Sequence, residues 1–248
     1  MKLIPVTILA LAVAAVSFFP NVAGAAVVIL DTDFSNTTLY PPSTALGTVN
    51  DGLGAWAFNS SVRALDTGGG VRGVQNTSNT STSYYNFDSS YTTDAIKVEF
   101  SVIPRVPNGY FELSLSNGTG NSNIGPQIRL GGTSTNVVSY YNGSAFVAIP
   151  DTTFTENVAS DFSFIAYIDG AKANTIDFYA GNTRVATGLD WRNDLSNLTA
   201  LRMRNSISSA DSQLIAINIS SIPEPSTASL ALVALLLGGL ARKYRSRA

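Results

Sequence analysis

Apolar and polar residues alternate along the middle of the chain with a period of two. In Ile96-Lys97-Val98-Glu99-Phe100-Ser101-Val102 the apolar side chains share one face and the polar ones the other, the pattern of a half-buried strand. Tyr110–Ser116, Pro126–Leu130, Asp161–Asp169, Thr175–Ala180, Thr199–Arg204 and Leu214–Ser220 behave similarly, with shorter candidates at Val27–Leu30 and Ala55–Phe58. Turn-forming pairs separate them: Asn108-Gly109, Asn117-Gly118, Gly131-Gly132, Asn142-Gly143, Asp169-Gly170 and Gly181-Asn182. Many short strands so spaced predict an all-β, antiparallel two-sheet sandwich with Phe100, Phe111, Phe164 and Phe178 in its core. Ser60–Tyr91 departs from the pattern. It is rich in Gly, Ser, Thr and Asn and reads as long loops with short strands at Val71–Val74 and Ser83–Phe87.

The two ends carry a different pattern. Met1-Lys2, the apolar stretch Leu3–Phe19 and the small residues Ala23-Gly24-Ala25 have the order of a cleavable signal peptide over residues 1–25. That order implies the Sec translocon and signal peptidase as first partners. At the other end, Pro223 and Pro225 bar regular helix around Glu224. After Ser226, Thr227–Leu240 is apolar on every face, and Arg242, Lys243, Arg245 and Arg247 follow. As a helix this run reaches about 21 Å against a hydrocarbon core of about 30 Å, so length alone favours a buried core helix. The basic cluster favours a transmembrane helix held at its cytoplasmic end, with Arg and Lys stems extending the span. The division expected is therefore signal peptide 1–25, sandwich domain 26–221 and tail 222–248.

Charge and composition narrow the chemistry. Lys2, the four tail cations and Glu224 fall outside the body, which keeps 10 basic and 16 acidic residues and a charge near −6. A mildly acidic body without basic runs is a poor fit to nucleic acid, whose affinity comes mainly from phosphate neutralisation. The chain has no Cys and no His. Disulfides, zinc sites of the usual ligands and Ser-His-Asp or Cys-His centres are thereby excluded. Asn, Ser, Thr and Gly carry the polarity instead, which suits neutral hydrogen bonding to polysaccharide and equally any secreted β-protein.

Four sets of residues are candidates for chemistry. Glu99 and Glu112 lie on the polar faces of two segments that could form a hairpin. Placed opposite each other, they would stand ~5 Å apart at Cβ and flank a glycosidic bond. The plainer reading is that Lys97 and Arg129 neutralise them. Asp31 and Asp33, with Asp211 from the last strand, offer oxygen ligands to Ca²⁺, the one cofactor to consider; strand-end turn formation is the plainer role. Tyr85, Tyr141 and Trp191 offer flat rings for sugar stacking, within the pairs Tyr84-Tyr85 and Tyr140-Tyr141; core packing is the default for Trp191 and Trp56. Gly118-Thr-Gly-Asn-Ser-Asn123 lacks the Lys-Ser/Thr of a phosphate loop and reads as a hairpin tip.

Two resemblances follow from these residues. Pro223-Glu224-Pro225-Ser226, the apolar run and the Arg-rich terminus resemble, in that order, the PEP-CTERM sorting signal of Gram-negative bacteria. The resemblance implies an exosortase partner, an inner-membrane-anchored precursor and release to the cell surface or extracellular polymer. Asp161–Gly170, Asn174–Asn182 and Thr183–Thr187, with Leu214–Ser220 returning beside Val27–Phe34, resemble the concanavalin A-like and laminin-G-like jelly rolls. Jelly-roll glucanases carry an acid-x-acid-x-x-acid pattern that Lys97-Val98-Glu99-Phe100-Ser101 lacks. The expectation is a non-enzymatic, structural or polysaccharide-contacting surface protein. The alternative is a secreted glycan-active hydrolase using a carboxylate pair.

Overall fold

The computed structural model describes residues 26–68, 71–76, 81–92, 95–105, 109–132, 136–206 and 212–222. The signal-peptide, sorting-motif and membrane-helix assignments, and Asp211, lie outside them. No helix among the described residues is long and apolar enough to cross a membrane.

Two antiparallel sheets face each other. The strands of the first are β1 (Val27–Thr32), β4 (Val62–Gly68), β5 (Val71–Asn76), β7 (Ala95–Ile103), β12 (Ser160–Tyr167), β13 (Thr175–Ala180), β14 (Thr183–Asp190) and β16 (Gln213–Ile222). Their order is β14-β13-β12-β7-β16-β5-β4, with β1 on the same edge of β16 as β5. The second sheet takes β2 (Thr48–Asn50), β3 (Gly54–Ala57), β6 (Ser81–Tyr91), β8 (Tyr110–Ser116), β9 (Ile124–Gly131), β10 (Val137–Tyr141), β11 (Phe146–Thr153) and β15 (Leu198–Ser206). It runs β11-β10-β9-β8-β15-β6-β3-β2. The fold is the antiparallel sandwich that the alternation predicts, and the last strand lies beside the first, with Asp31 opposite Asn218.

Period-two alternation decides which side chains meet between the sheets. Val98, Phe100 and Val102 on β7 join Phe162 and Phe164 on β12 and Ile217 and Ile219 on β16. From the other sheet come Phe111, Leu113 and Leu115 of β8, Ile128 and Leu130 of β9, and Leu201 and Met203 of β15. An aromatic group closes one end of this core. Trp56 stacks on Phe58 at 4.7 Å between centroids and meets the edge of Tyr85 at 5.1 Å. Full burial of large rings of this kind supplies the bulk of the hydrophobic stabilisation in a domain with no cross-links.

Two expectations change. The stretch Ser60–Tyr91 is not long loops: the expected strands Val71–Val74 and Ser83–Phe87 lie inside β5 and the eleven-residue β6, and β4 forms a hairpin with β5. Tyr85 and Phe87 alternate into the core there, and polar neighbours extend the strand on both sides of the short run that the sequence marks. Likewise β7 and β8 are not a hairpin. The connection after Ile103 crosses from one sheet to the other, so β7 pairs with β12 and β16, and β8 with β9 and β15.

Candidate functional site

The crossover separates the two glutamates. Glu99 alternates with Val98 and Phe100 and so points away from the core on the first sheet, exposed, with Lys97 Nζ at 2.5 Å. Glu112 alternates with Phe111 and Leu113 and points outward from the second. A sandwich about 10 Å thick lies between them. They cannot flank one glycosidic bond, and the paired-carboxylate expectation falls.

Glu112 instead sits in a built polar surface, the outer face of the second sheet. Strand register lines its residues up in rows. One row runs Ser139, Arg129, Glu112, Arg204 and Thr82. The next runs Gln127, Ser114, Arg202, Tyr84 and Ala57. A third holds Ser116, Ala200, Asn86 and Ala55. Each of these residues alternates with an inward-facing residue on its own strand, and so all face the same way.

The charges on this face are held firmly. Arg129 donates Nε to Glu112 Oε1 at 2.7 Å, and its Nη2 reaches the same oxygen. The Arg129 guanidinium also lies on two rings, 3.3 Å from the centroid of Phe146 and 4.1 Å from that of Tyr110. Gly132, at φ 101°, lets the chain pass against it; a Cβ there would meet Arg129 Cδ at 3.1 Å. Arg204 completes an Arg–Glu–Arg row, 3.9 Å from Glu112 Oε2. Arg192 comes from the β14–β15 connection, which docks on β9 through Arg192 N–H to Gly125 O and Asn193 Nδ2 to Ile124 O. Its Nη1 donates to Gln127 Oε1 at 2.9 Å, and its guanidinium covers the Tyr141 ring at 4.5 Å.

Several polar groups on the same face are buried without hydrogen bonds. They are Ser114 Oγ, Ser116 Oγ, Glu112 Oε2 and Arg202 Nη1. Ser114, Ser116 and Glu112 are fully buried, and Arg202 is 7 % exposed. Tyr84, Tyr110 and Tyr141, half-buried, frame them.

The other expected residues fall elsewhere. Tyr85 is a core residue, correcting its place as a stacking platform. Its hydroxyl donates to Asp51 Oδ1 at 2.9 Å and to Ile29 O at 3.1 Å, and burial pushes its pKa up. Trp191 is also buried, with Nε1 donating to Thr175 O at 2.9 Å, so it offers no face to a sugar. Tyr141 alone of the three reaches the polar face. Asp31 and Asp33 are exposed at the end of β1, and hydrogen bonds from Ser35 hold the Asp33 carboxyl below its ordinary range. They line an open cleft of about 820 Å³ on the first sheet together with Glu99 and Asp161. Among the described residues no cluster of three or more His, Cys, Asp or Glu is placed to hold a metal ion.

Arg192, Arg202, Arg204, Ser114 and Gln127 were not foreseen. The signal existed: Leu201 and Met203, or Ile128 and Leu130, fix the parity that turns Arg202, Arg204 and Gln127 outward.

The architecture that carries this face is an all-β antiparallel two-sheet sandwich. No family model matches the chain, and no curated protein does. Among solved structures, the globular domain of Trypanosoma cruzi calreticulin is similar over 87 % of this chain and 95 % of its own, with a TM-score of 0.51 and 15 % identity. A Bacillus subtilis protein with a galectin-like fold is similar over 68 % of this chain and 90 % of its own, with a TM-score of 0.50 and 7 % identity. At such identities the likeness is one of fold.

Proposed function

We propose that the protein is an exported, non-enzymatic component of the cell surface or extracellular matrix that contacts polysaccharide through the outer face of its second sheet. The observation that carries this is the set of buried, unpartnered polar groups on that face, framed by tyrosine rings. A buried hydroxyl or guanidinium without a partner costs free energy that a ligand can restore. A sugar brings hydroxyls that both donate and accept, and a flat apolar face that suits the Tyr84 ring, Tyr110 and Tyr141 being already faced by arginines. The split of Glu99 from Glu112 takes that one pair, though not every acid pair, away from the hydrolase alternative.

Export and sorting rest on the sequence: the signal-peptide pattern, and Pro223-Glu224-Pro225 ahead of an apolar run and four basic residues. In this reading an exosortase acts on the tail of an inner-membrane precursor. Binding is tested by affinity electrophoresis in polysaccharide gels: Tyr84→Ala with Ser114→Val should abolish retardation while leaving the circular dichroism spectrum intact. Retardation unchanged by the double variant sinks the assignment of this face. Sorting is tested by replacing Pro223 and Pro225 with Ala and following the protein in surface and membrane fractions. Release unaffected by the replacement counts against the sorting motif.

A further inference from the structure

The face holds four of the body's ten basic residues, Arg129, Arg192, Arg202 and Arg204, against Glu112 as the one acid in the registered rows. The body as a whole is acidic, so this concentration runs against its average. Three of the arginines are accounted for. Arg129 and Arg204 flank Glu112, and Arg192 is bonded to Gln127 over Tyr141.

Arg202 is different. It stands in the middle of the second row, between Ser114 on β8 and Tyr84 on β6, at 7 % exposure. No carboxylate lies within 4.0 Å of it among the described residues, Glu112 in the next row being paired with Arg129 and Arg204, and its Nη1 makes no hydrogen bond. A buried guanidinium unpaired in this way is unfavourable unless an anion completes it, since a charge taken out of water needs a partner. Ser114 Oγ, also unbonded, lies directly across the strand and offers an O–H to the same anion. A guanidinium fork with a hydroxyl beside it matches the two or three oxygens of a carboxylate or sulfate.

We infer that the polysaccharide contacted by this face is acidic, with an oxyanion of the sugar seated on Arg202 and Ser114. This rests on the reading of the face as a polysaccharide surface and adds the class of ligand. The Arg129–Glu112–Arg204 row is then a rim whose one carboxylate offsets one of its two arginines and holds both in place, and Arg202 is the residue that seats the anion.

The test uses the protein purified at full length, with alginate (carboxylate), dextran sulfate (sulfate) and dextran (neutral) as probes at 50 and 200 mM salt. The variants are Arg202→Gln and, as a control on charge alone, Arg184→Gln on the exposed edge strand of the first sheet. The expected result is binding to at least one acidic probe ten-fold tighter than to dextran, weakened ten-fold or more by Arg202→Gln and less than two-fold by Arg184→Gln. Which acidic probe shows the Arg202 dependence identifies the anion. Arg202→Gln should leave the melting temperature unchanged or raise it, because it removes an unpaired buried charge; a fall together with lost binding would make Arg202 structural and overturn the inference. Equal losses in both variants would reduce the effect to non-specific attraction and also overturn it. Dextran bound as tightly as the acidic probes, with Arg202→Gln neutral, overturns the acidic ligand and leaves polysaccharide contact standing. No binding to any probe takes down both.

Discussion

Replacing Glu112 by Ala should destabilise the sandwich more than any other single charge removal on its surface. The Glu112 side chain is 1 % exposed and that of Arg129 16 %. Removing one member of a pair this dry leaves the other charge uncompensated, at a cost of roughly 3–5 kcal/mol. Arg129 would keep its contacts with Tyr110 and Phe146, each a cation–π interaction of roughly 0.5–2 kcal/mol, so the low end, about 3 kcal/mol, applies. For a domain of this size each kcal/mol is about 2–4 °C, giving a fall in Tm of roughly 6–12 °C. Glu112→Gln keeps an acceptor for one N–H and should lose about half as much. The double variant Glu112→Ala with Arg129→Met removes both charges and should recover to within about 1 kcal/mol of the parent, because a buried pair is worth little against apolar replacements. Scanning calorimetry and urea titration on the three variants read all of this. A fall below about 2 °C for Glu112→Ala, or a double variant no better than the single, would refute the claim that this row is desolvated.

Two further predictions concern other parts of the fold. Asp177 is buried on the first sheet; burial raises its pKa, but hydrogen bonds from Lys172, Thr187, Gly188 N–H and Tyr167 more than reverse this and hold it at about 2. Its stabilisation is therefore complete above the unfolded value near 3.8 and is lost as pH falls through the folded value of about 2. Asp177→Asn should cost about 2 kcal/mol at pH 7, with the gap to the parent closing between pH 4 and 2; a gap independent of pH in urea titrations would contradict this. Gly54→Ala would place a Cβ 2.5 Å from Asn86 O and 2.7 Å from the Tyr85 ring, whereas at Gly47 nothing lies within 4 Å. The first should cost roughly 1–3 kcal/mol in thermal unfolding and the second next to nothing, and equal effects would be inconsistent with the packing of β3 on β6.

Much of the architecture was readable because alternation survives in single strands. Ile96–Val102 and Tyr110–Ser116 each declare which residues go inward. What alternation does not carry is pairing. Nothing in Ile103–Gly109 distinguishes a hairpin from a crossing between sheets, and that one connection decided whether Glu99 and Glu112 could work together. Tyr85 went astray for a different reason: the strand Ser83–Phe87 was legible, but in the pair Tyr84-Tyr85 only the parity of Phe87, two residues on, marks Tyr85 as the inward ring. The polar face was visible only in part. Arg129 was seen as a partner of Glu112, whereas the burial of Arg202 depends on β6 and β8 lying on either side of β15, a long-range fact absent from local pattern.

The borders of the sheets have a consequence of their own. β14 shifts register twice against β13, at Ile176/Phe178 and Phe178/Tyr179. β11 carries Pro150 and a positive φ at Asp151, and its ladder with β10 breaks between Val137 and Ser139. β2 is three residues long, and β4 is covered by hydrogen bonds to Ser43 and Leu46. Kinks, proline and short or shielded margins deny an incoming strand a straight template. Where molecules of this protein crowd together, these margins work against edge-to-edge strand addition.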